Sequence, residues 1–288
     1  MTSLRSGISR LTHLFIFALM IAAASGAAQA IAATSPWVVG HKAKVRLLAG
    51  RPGTGSSGES MAFVEFLLEP GWKTYWRTPG DAGGLPPSFD WSKSSNLAAA
   101  EVAFPAPQRF TDKSGSTIGY RDSLVLPVTL KPLRAGEPIS LVVGLHYGIC
   151  KDICVPVEAE LSLDVPPSGD DALPIEAQQA LESLPRAQGN LRPSDPVLVA
   201  SKVVLDGAAS KITIEAKFPG GDAGADVFLE APDGLYLPPA ERVGDGSDPV
   251  VFEAALGRDV DLTQLRGKTI TVTLVGETGA STATFSAE

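Results

Sequence analysis

Cys150 and Cys154 are the only two cysteines in a chain of 288 residues, and three residues separate them. They lie in the run His146-Tyr147-Gly148-Ile149-Cys150-Lys151-Asp152-Ile153-Cys154-Val155-Pro156. Three chemistries are open to such a pair. One thiolate can attack a disulfide while the second sulfur resolves the mixed disulfide. The two can close a structural disulfide in an oxidising compartment. Or two thiolates, with His146 four residues upstream, can hold a soft ion such as Cu(I) or zinc. Lys151 favours a thiolate at this turn, whereas Asp152 opposes it.

Spacing weighs on each reading. Four extended residues span ~13 Å, whereas a disulfide needs Cα atoms within ~7 Å, so a bond requires the chain to turn. A five-residue ring removes little unfolded-state entropy, about 2 kcal/mol against ~4.7 kcal/mol for a hundred-residue loop. A bond that holds a whole sandwich would join distant strands, and a tight exposed one is the exchanging kind. His146, Cys150 and Cys154 would align as ligands on a helix, but the stretch reads as strand and turn. Neither a Cys-x-x-Cys motif nor a βαβ pattern is present. The three histidines stand apart, so no Cys/His/Asn protease pattern can be defended.

The elements around the pair are β in pattern. Residues 139–147 form a short apolar run rich in β-branched side chains, and residues 155–165 alternate, so the cysteines fall on the turn between two strands or at its edges. Upstream, strands are expected at 37–48, 61–68, 89–91, 100–104 and 124–130, with an extended aromatic segment at 71–77. Pro127 suggests an edge strand or a bulge. Residues 51–60, 78–88 and 105–120 read as loops. After a linker-like stretch, residues 174–184 form the one convincing helix, between Pro174 and Pro185. Strands return at 197–205, 210–218, 226–230, 249–256, 268–275 and 280–286, a second and smaller sandwich. With low charge, plentiful Gly and Pro and two Cys, the fold class is all-β rather than a disulfide scaffold.

The first ~30 residues read as a signal peptide. Arg5 and Arg10 precede an apolar run from Leu14 to Ala24, which is shorter than the ~20 residues of a membrane span. Ala28-Gln29-Ala30 fits the cleavage rule, with Ala30-Ile31-Ala32 as a second site. Removing residues 1–30 takes two arginines and no acid, moving the formal charge from −8 to −10. An exported chain this acidic is a poor nucleic-acid binder.

Four segments together resemble the N-terminal periplasmic domain of the thiol–disulfide interchange protein DsbD, in the form of its copper-tolerance relatives called ScsB. They are Gly71-Trp72-Lys73-Thr74-Tyr75-Trp76, Pro79-Gly80-Asp81-Ala82-Gly83, Gly119 to Val128, and Tyr147-Gly148-Ile149-Cys150 with Cys154-Val155-Pro156. The resemblance covers residues 36–165. It implies two immunoglobulin-like β-sandwich domains, 36–165 and 196–288, joined by a linker with a short helix over 166–195. It implies that Cys150 and Cys154 shuttle electrons without a cofactor, with Cys154 attacked by partners and Cys150 resolving. A cap loop would map between Phe104 and Tyr120 with Phe110 as its shield, and Tyr75, Tyr120 and Tyr147 would line the site. The implied partners are periplasmic thioredoxin-fold proteins. The multi-span membrane and thioredoxin domains of full-length relatives are not found before Glu288, so a separate membrane-embedded donor is expected. Copper bound by Cys150, Cys154 and His146 is the rival function, and a structural sandwich with an inert disulfide the third.

Overall fold

A computed structural model of the chain describes residues 33–50, 59–113, 115–167, 173–206, 209–244, 246 and 248–288. The expected signal peptide lies outside these residues, as does most of the Gly/Ser-rich turn at 51–60. Among the described residues no helix is long and apolar enough to cross a membrane.

The chain is all-β, two immunoglobulin-like sandwiches with a short helix between them. The strands of the first are β1 (Val38–Val39), β2 (Ala43–Ala49), β3 (Ser60–Leu68), β4 (Lys73–Tyr75), β5 (Ser88–Asp90), β6 (Leu97–Val102), β7 (Gln108–Asp112), β8 (Gly115–Arg121), β9 (Ser123–Pro132), β10 (Ile139–Cys150) and β11 (Cys154–Val165). One sheet runs β1-β2-β3-β9-β6; the other runs β11-β10-β4-β8-β7, with β5 also on β10. Period-2 alternation builds the core between them. On β10, Ile139, Leu141, Val143, Leu145, Tyr147 and Ile149 point inward, and they meet Val45, Val64, Phe66 and Leu126 of the facing sheet.

Two expectations are corrected here. Residues 105–120 are not a long loop: β7 and β8 pair as a hairpin, with Gln108 opposite Gly119 and Asp112 opposite Gly115. Nor does Pro127 mark an edge, since β9 lies between β3 and β6. Its carbonyl accepts the Ala103 N–H at 2.8 Å, just past the last β6 pair, Val102–Val128. In an antiparallel strand a residue's N and C=O face the same side. The missing N–H of Pro127 therefore faces the place where β6 has ended, and β3 loses no ladder bond.

The segment between the sandwiches is docked. Its helix, Ile175–Glu182, buries Ala177 and Ala180, and Ala177 packs on Leu48 and Phe63 behind the first sheet. The second sandwich has β12 (Arg186–Ala187), β13 (Val197–Val204), β14 (Lys211–Lys217), β15 (Asp226–Glu230), β16 (Glu241–Val243), β17 (Val250–Ala255), β18 (Thr269–Val275) and β19 (Ala280–Ser286). Its sheets run β12-β19-β18-β15 and β13-β14-β17-β16. It has its own core around Ile212, Ile214, Phe252, Ile270 and Val272. The strand β15 also reaches the first sandwich: its Phe228 joins the first core and meets Trp76 at 5.7 Å between ring centroids.

Candidate functional site

The cysteines end the two strands of one hairpin. β10 and β11 are paired along their full lengths, and the final rung sets Cys150 opposite Cys154. Opposed residues on such a rung have Cα atoms ~4.5–5.5 Å apart, within the range a disulfide needs. Both thiols are free, Cys150 half-buried and Cys154 exposed. Their sulfurs are 3.5 Å apart. Closing to the ~2.05 Å of an S–S bond is a side-chain movement.

The pair lies on the outer face of the sheet. Ile149 points into the core, so alternation turns Cys150 outward with Gly148 and His146. β4 lies beside β10, with Lys73 opposite Cys150 and Thr74 opposite Ile149. Lys73 and Tyr75 thus share the cysteines' face, while Thr74 is buried and donates from Oγ1 to the Gly148 carbonyl at 2.8 Å. The Tyr75 hydroxyl reaches Cys154 Sγ at 2.7 Å. Burial, then the two sulfurs, holds the Tyr75 phenol well above its ordinary range, so the hydroxyl keeps its proton and donates once Cys154 is a thiolate.

Two glycines leave room for the Tyr75 ring. A Cβ at Gly148 would stand 2.8 Å from Tyr75 Cε2, and one at Gly84 would stand 2.2 Å from Cε1. The ring is slotted between β10 and the loop 78–87. That loop is tied down at both ends: Leu85 O accepts the Gly148 N–H at 2.8 Å, and Asp81 Oδ1 accepts the Ser116 N–H at 2.6 Å. This loop covers the tyrosine, and the stretch between Phe104 and Tyr120 that was expected to cap the cysteines forms the β7–β8 hairpin.

Burial pushes the Cys150 thiol up, and the neighbouring Cys154 adds to it; the Tyr75 hydrogen bond and the Lys73 charge act the other way. Lys73 is the cation that sequence reasoning passed over in favour of Lys151. Its signal was present, since it stands two residues from Tyr75 and must share its face.

The other expected residues fall elsewhere. Phe110 lies over Lys73 and Arg121, at 5.3 and 4.8 Å from ring centroid to cation. Tyr120 is buried in the core and donates to the Pro105 carbonyl at 2.8 Å. Tyr147 is buried against Phe66, its hydroxyl without a partner and its pKa pushed up to about 12 by burial. The resemblance implied both at the site, and strand parity turns both inward. His146 faces outward but pairs with Glu158 at 3.3 Å, four strand residues or ~13 Å from Cys150. The structure does not bring it to the sulfurs. Among the described residues no cluster of three or more His, Cys, Asp or Glu could hold a metal.

Residues 45–166 match a family model described as the N-terminal part of the thiol:disulfide interchange protein DsbD. In three dimensions the chain is similar to the N-terminal periplasmic domain of ScsB from Proteus mirabilis, with a TM-score of 0.66 and 22% identity. That similarity covers 88% of this chain and 99% of the other, so it takes in both sandwiches and shows their fold. No curated protein matches the chain. The matched segment holds the whole Cys hairpin, β4 and the loop 78–87, so the likeness to the DsbD N-terminal part takes in the elements that build the site.

Proposed function

We propose that the protein is a periplasmic thiol–disulfide exchange protein that carries reducing equivalents from a separate membrane-embedded donor to thioredoxin-fold partners. The observation that carries this reading is the phenol of Tyr75 placed 2.7 Å from the exposed Cys154 sulfur, with Cys150 Sγ 3.5 Å behind it. The Cys154 thiolate attacks one sulfur of a partner's disulfide, a mixed disulfide forms, and the partner's other sulfur leaves as a thiolate. Cys150 then loses its proton and attacks Cys154 Sγ, closing the Cys150–Cys154 bond and releasing the partner as a dithiol. Two electrons and two protons pass to the partner, and no cofactor takes part. The donor reverses these steps to restore the dithiol. The exposed apolar side chains Ile153, between the cysteines, and Leu85, on the loop over Tyr75, offer a surface for a partner to cover. Export rests on residues 1–30 as a cleaved signal peptide. The working domains are 36–165 and 196–288, with 166–195 between them.

Two measurements test the proposal. Cys150→Ser should trap a thioredoxin-fold partner on Cys154 as a stable mixed disulfide, whereas Cys154→Ser should trap none. The reduction potential of the pair in glutathione buffers should fall between roughly −180 and −270 mV. A potential below about −300 mV would mark an inert structural bond and overturn the proposal.

A further inference from the structure

Glu230 lies on β15, in the second sandwich. Its carboxylate accepts from both Nε and Nη2 of Arg77, each at 2.7 Å, and from the Thr78 hydroxyl at 3.2 Å. Arg77 and Thr78 are two and three residues beyond Tyr75. Between them and Tyr75 stands Trp76, fully buried against Phe228 of the same strand β15. The Arg77 guanidinium lies over the Trp76 ring at 4.3 Å. A single strand of the second sandwich therefore grips the three residues that follow the tyrosine, and the covering loop begins there.

Behind this segment the sandwiches leave a cleft of about 320 Å³, bounded by Thr78 and Gly80 on one side and Tyr236 and Pro238 on the other. There is open volume for the chain after Tyr75 to move into once it is let go. Asp226, at the other end of β15, makes a bidentate pair with Arg109 on β7, at 2.9 and 2.6 Å. That pair joins the sandwiches through β7 rather than through Arg77 or Thr78.

We propose that Glu230 is a positioning residue for thiol exchange: by fixing Arg77 and Thr78, the second sandwich holds the Tyr75 hydroxyl on Cys154. The proposal rests on the reading of Cys150 and Cys154 as an exchanging pair. Its test reads the thiols directly, so a failure to find a redox partner leaves it standing. The charged and titratable groups around the sulfurs are Tyr75 and Lys73 on β4, Arg121 opposite Lys73 on β8, and Lys151 and Asp152 in the turn; none is altered by changing Glu230.

The experiment follows the rate of alkylation of the reduced full chain against pH, in the native protein, Glu230→Gln, Tyr75→Phe, the double variant and Asp226→Asn. Tyr75→Phe should raise the midpoint by about one pH unit, and Glu230→Gln by about half as much. In the Tyr75→Phe background Glu230→Gln should add nothing, because it acts through the hydroxyl already removed. Asp226→Asn should leave the midpoint where it was. An unchanged midpoint in Glu230→Gln, or an equal shift with and without the Tyr75 hydroxyl, would overturn the proposal. Should Glu230→Gln fail to fold, Arg77→Lys keeps the charge but loses the paired contact. It should give the same non-additive shift, and its absence there would be equally decisive.

Discussion

At the scale of the residue, the proposed working unit is a phenol and two sulfurs. A hydrogen bond to a charged acceptor contributes about 1.5–3 kcal/mol, and one pH unit is about 1.4 kcal/mol. Tyr75→Phe should therefore slow alkylation of the pair near neutral pH by roughly tenfold while leaving the fold intact, as far-UV circular dichroism would check. The same groups fix the sign of an alkaline effect. Burial raises the pKa of Cys150 and Tyr147 in the folded chain, so the folded state holds these protons more tightly than the unfolded state. Their contribution is complete below the unfolded pKa values, about 8.5 for Cys and 10 for Tyr, and is lost as pH rises through the folded ones. The thermal midpoint of the reduced protein should be flat from about pH 6 to 8 and fall above about pH 9. A midpoint that rises with alkali would contradict the burial of both groups. The sequence made the two cysteines legible because nothing else in it could do this chemistry. It did not make legible which aromatics serve them, since Tyr75, Tyr120 and Tyr147 differ only in strand parity, and parity needs the register.

At the scale of the element, the site depends on a hairpin that fixes the sulfurs and a loop that fixes the tyrosine. Gly148 is where the two meet. A Cβ there would stand 2.8 Å from the Tyr75 ring and 2.9 Å from Leu85 Cβ. Gly148→Ala should cost about 1–3 kcal/mol by overpacking. It should also displace the Tyr75 hydroxyl, so that denaturant unfolding and the alkylation profile shift together. If only stability changes, the slot does not position the ring. Strand identities were largely legible: alternation marks the six main strands of the second sandwich, and Pro174 and Pro185 bracket the helix. The hairpin over 108–121 was not. Its turn, with Lys113 and Gly115, sits in a run of polar residues that reads as loop, and pairing of β8 with β4 supplies the ladder that local pattern cannot show. Pro127 misled for a related reason, since a proline excludes a ladder bond on one side only and the sequence does not say which side is open.

At the scale of the whole molecule, the second sandwich is more than a spacer: Phe228 enters the first core, while Glu230 and Asp226 reach across by paired hydrogen bonds. Phe228→Ala should cost about 3–5 kcal/mol. It should also expose Trp76, which red-shifted tryptophan emission would report; an unchanged spectrum would mean the sandwiches dock without it. None of this was legible, because a contact between residues some 150 positions apart leaves no mark in local pattern. The single rung that joins Cys150 to Cys154 has a thermodynamic consequence for the molecule as a whole. Folding and oxidation form a cycle, so whatever the disulfide adds to folding stability must reappear as a lower potential in the folded protein than in its unfolded chain. With a ring of five residues that difference is about 2 kcal/mol, or roughly 40 mV. The potential is thus written almost entirely by the turn and its immediate neighbours. Both sandwiches can pass through the oxidation cycle with nearly the same stability, and the pair can be charged and discharged repeatedly without the fold being staked on either state.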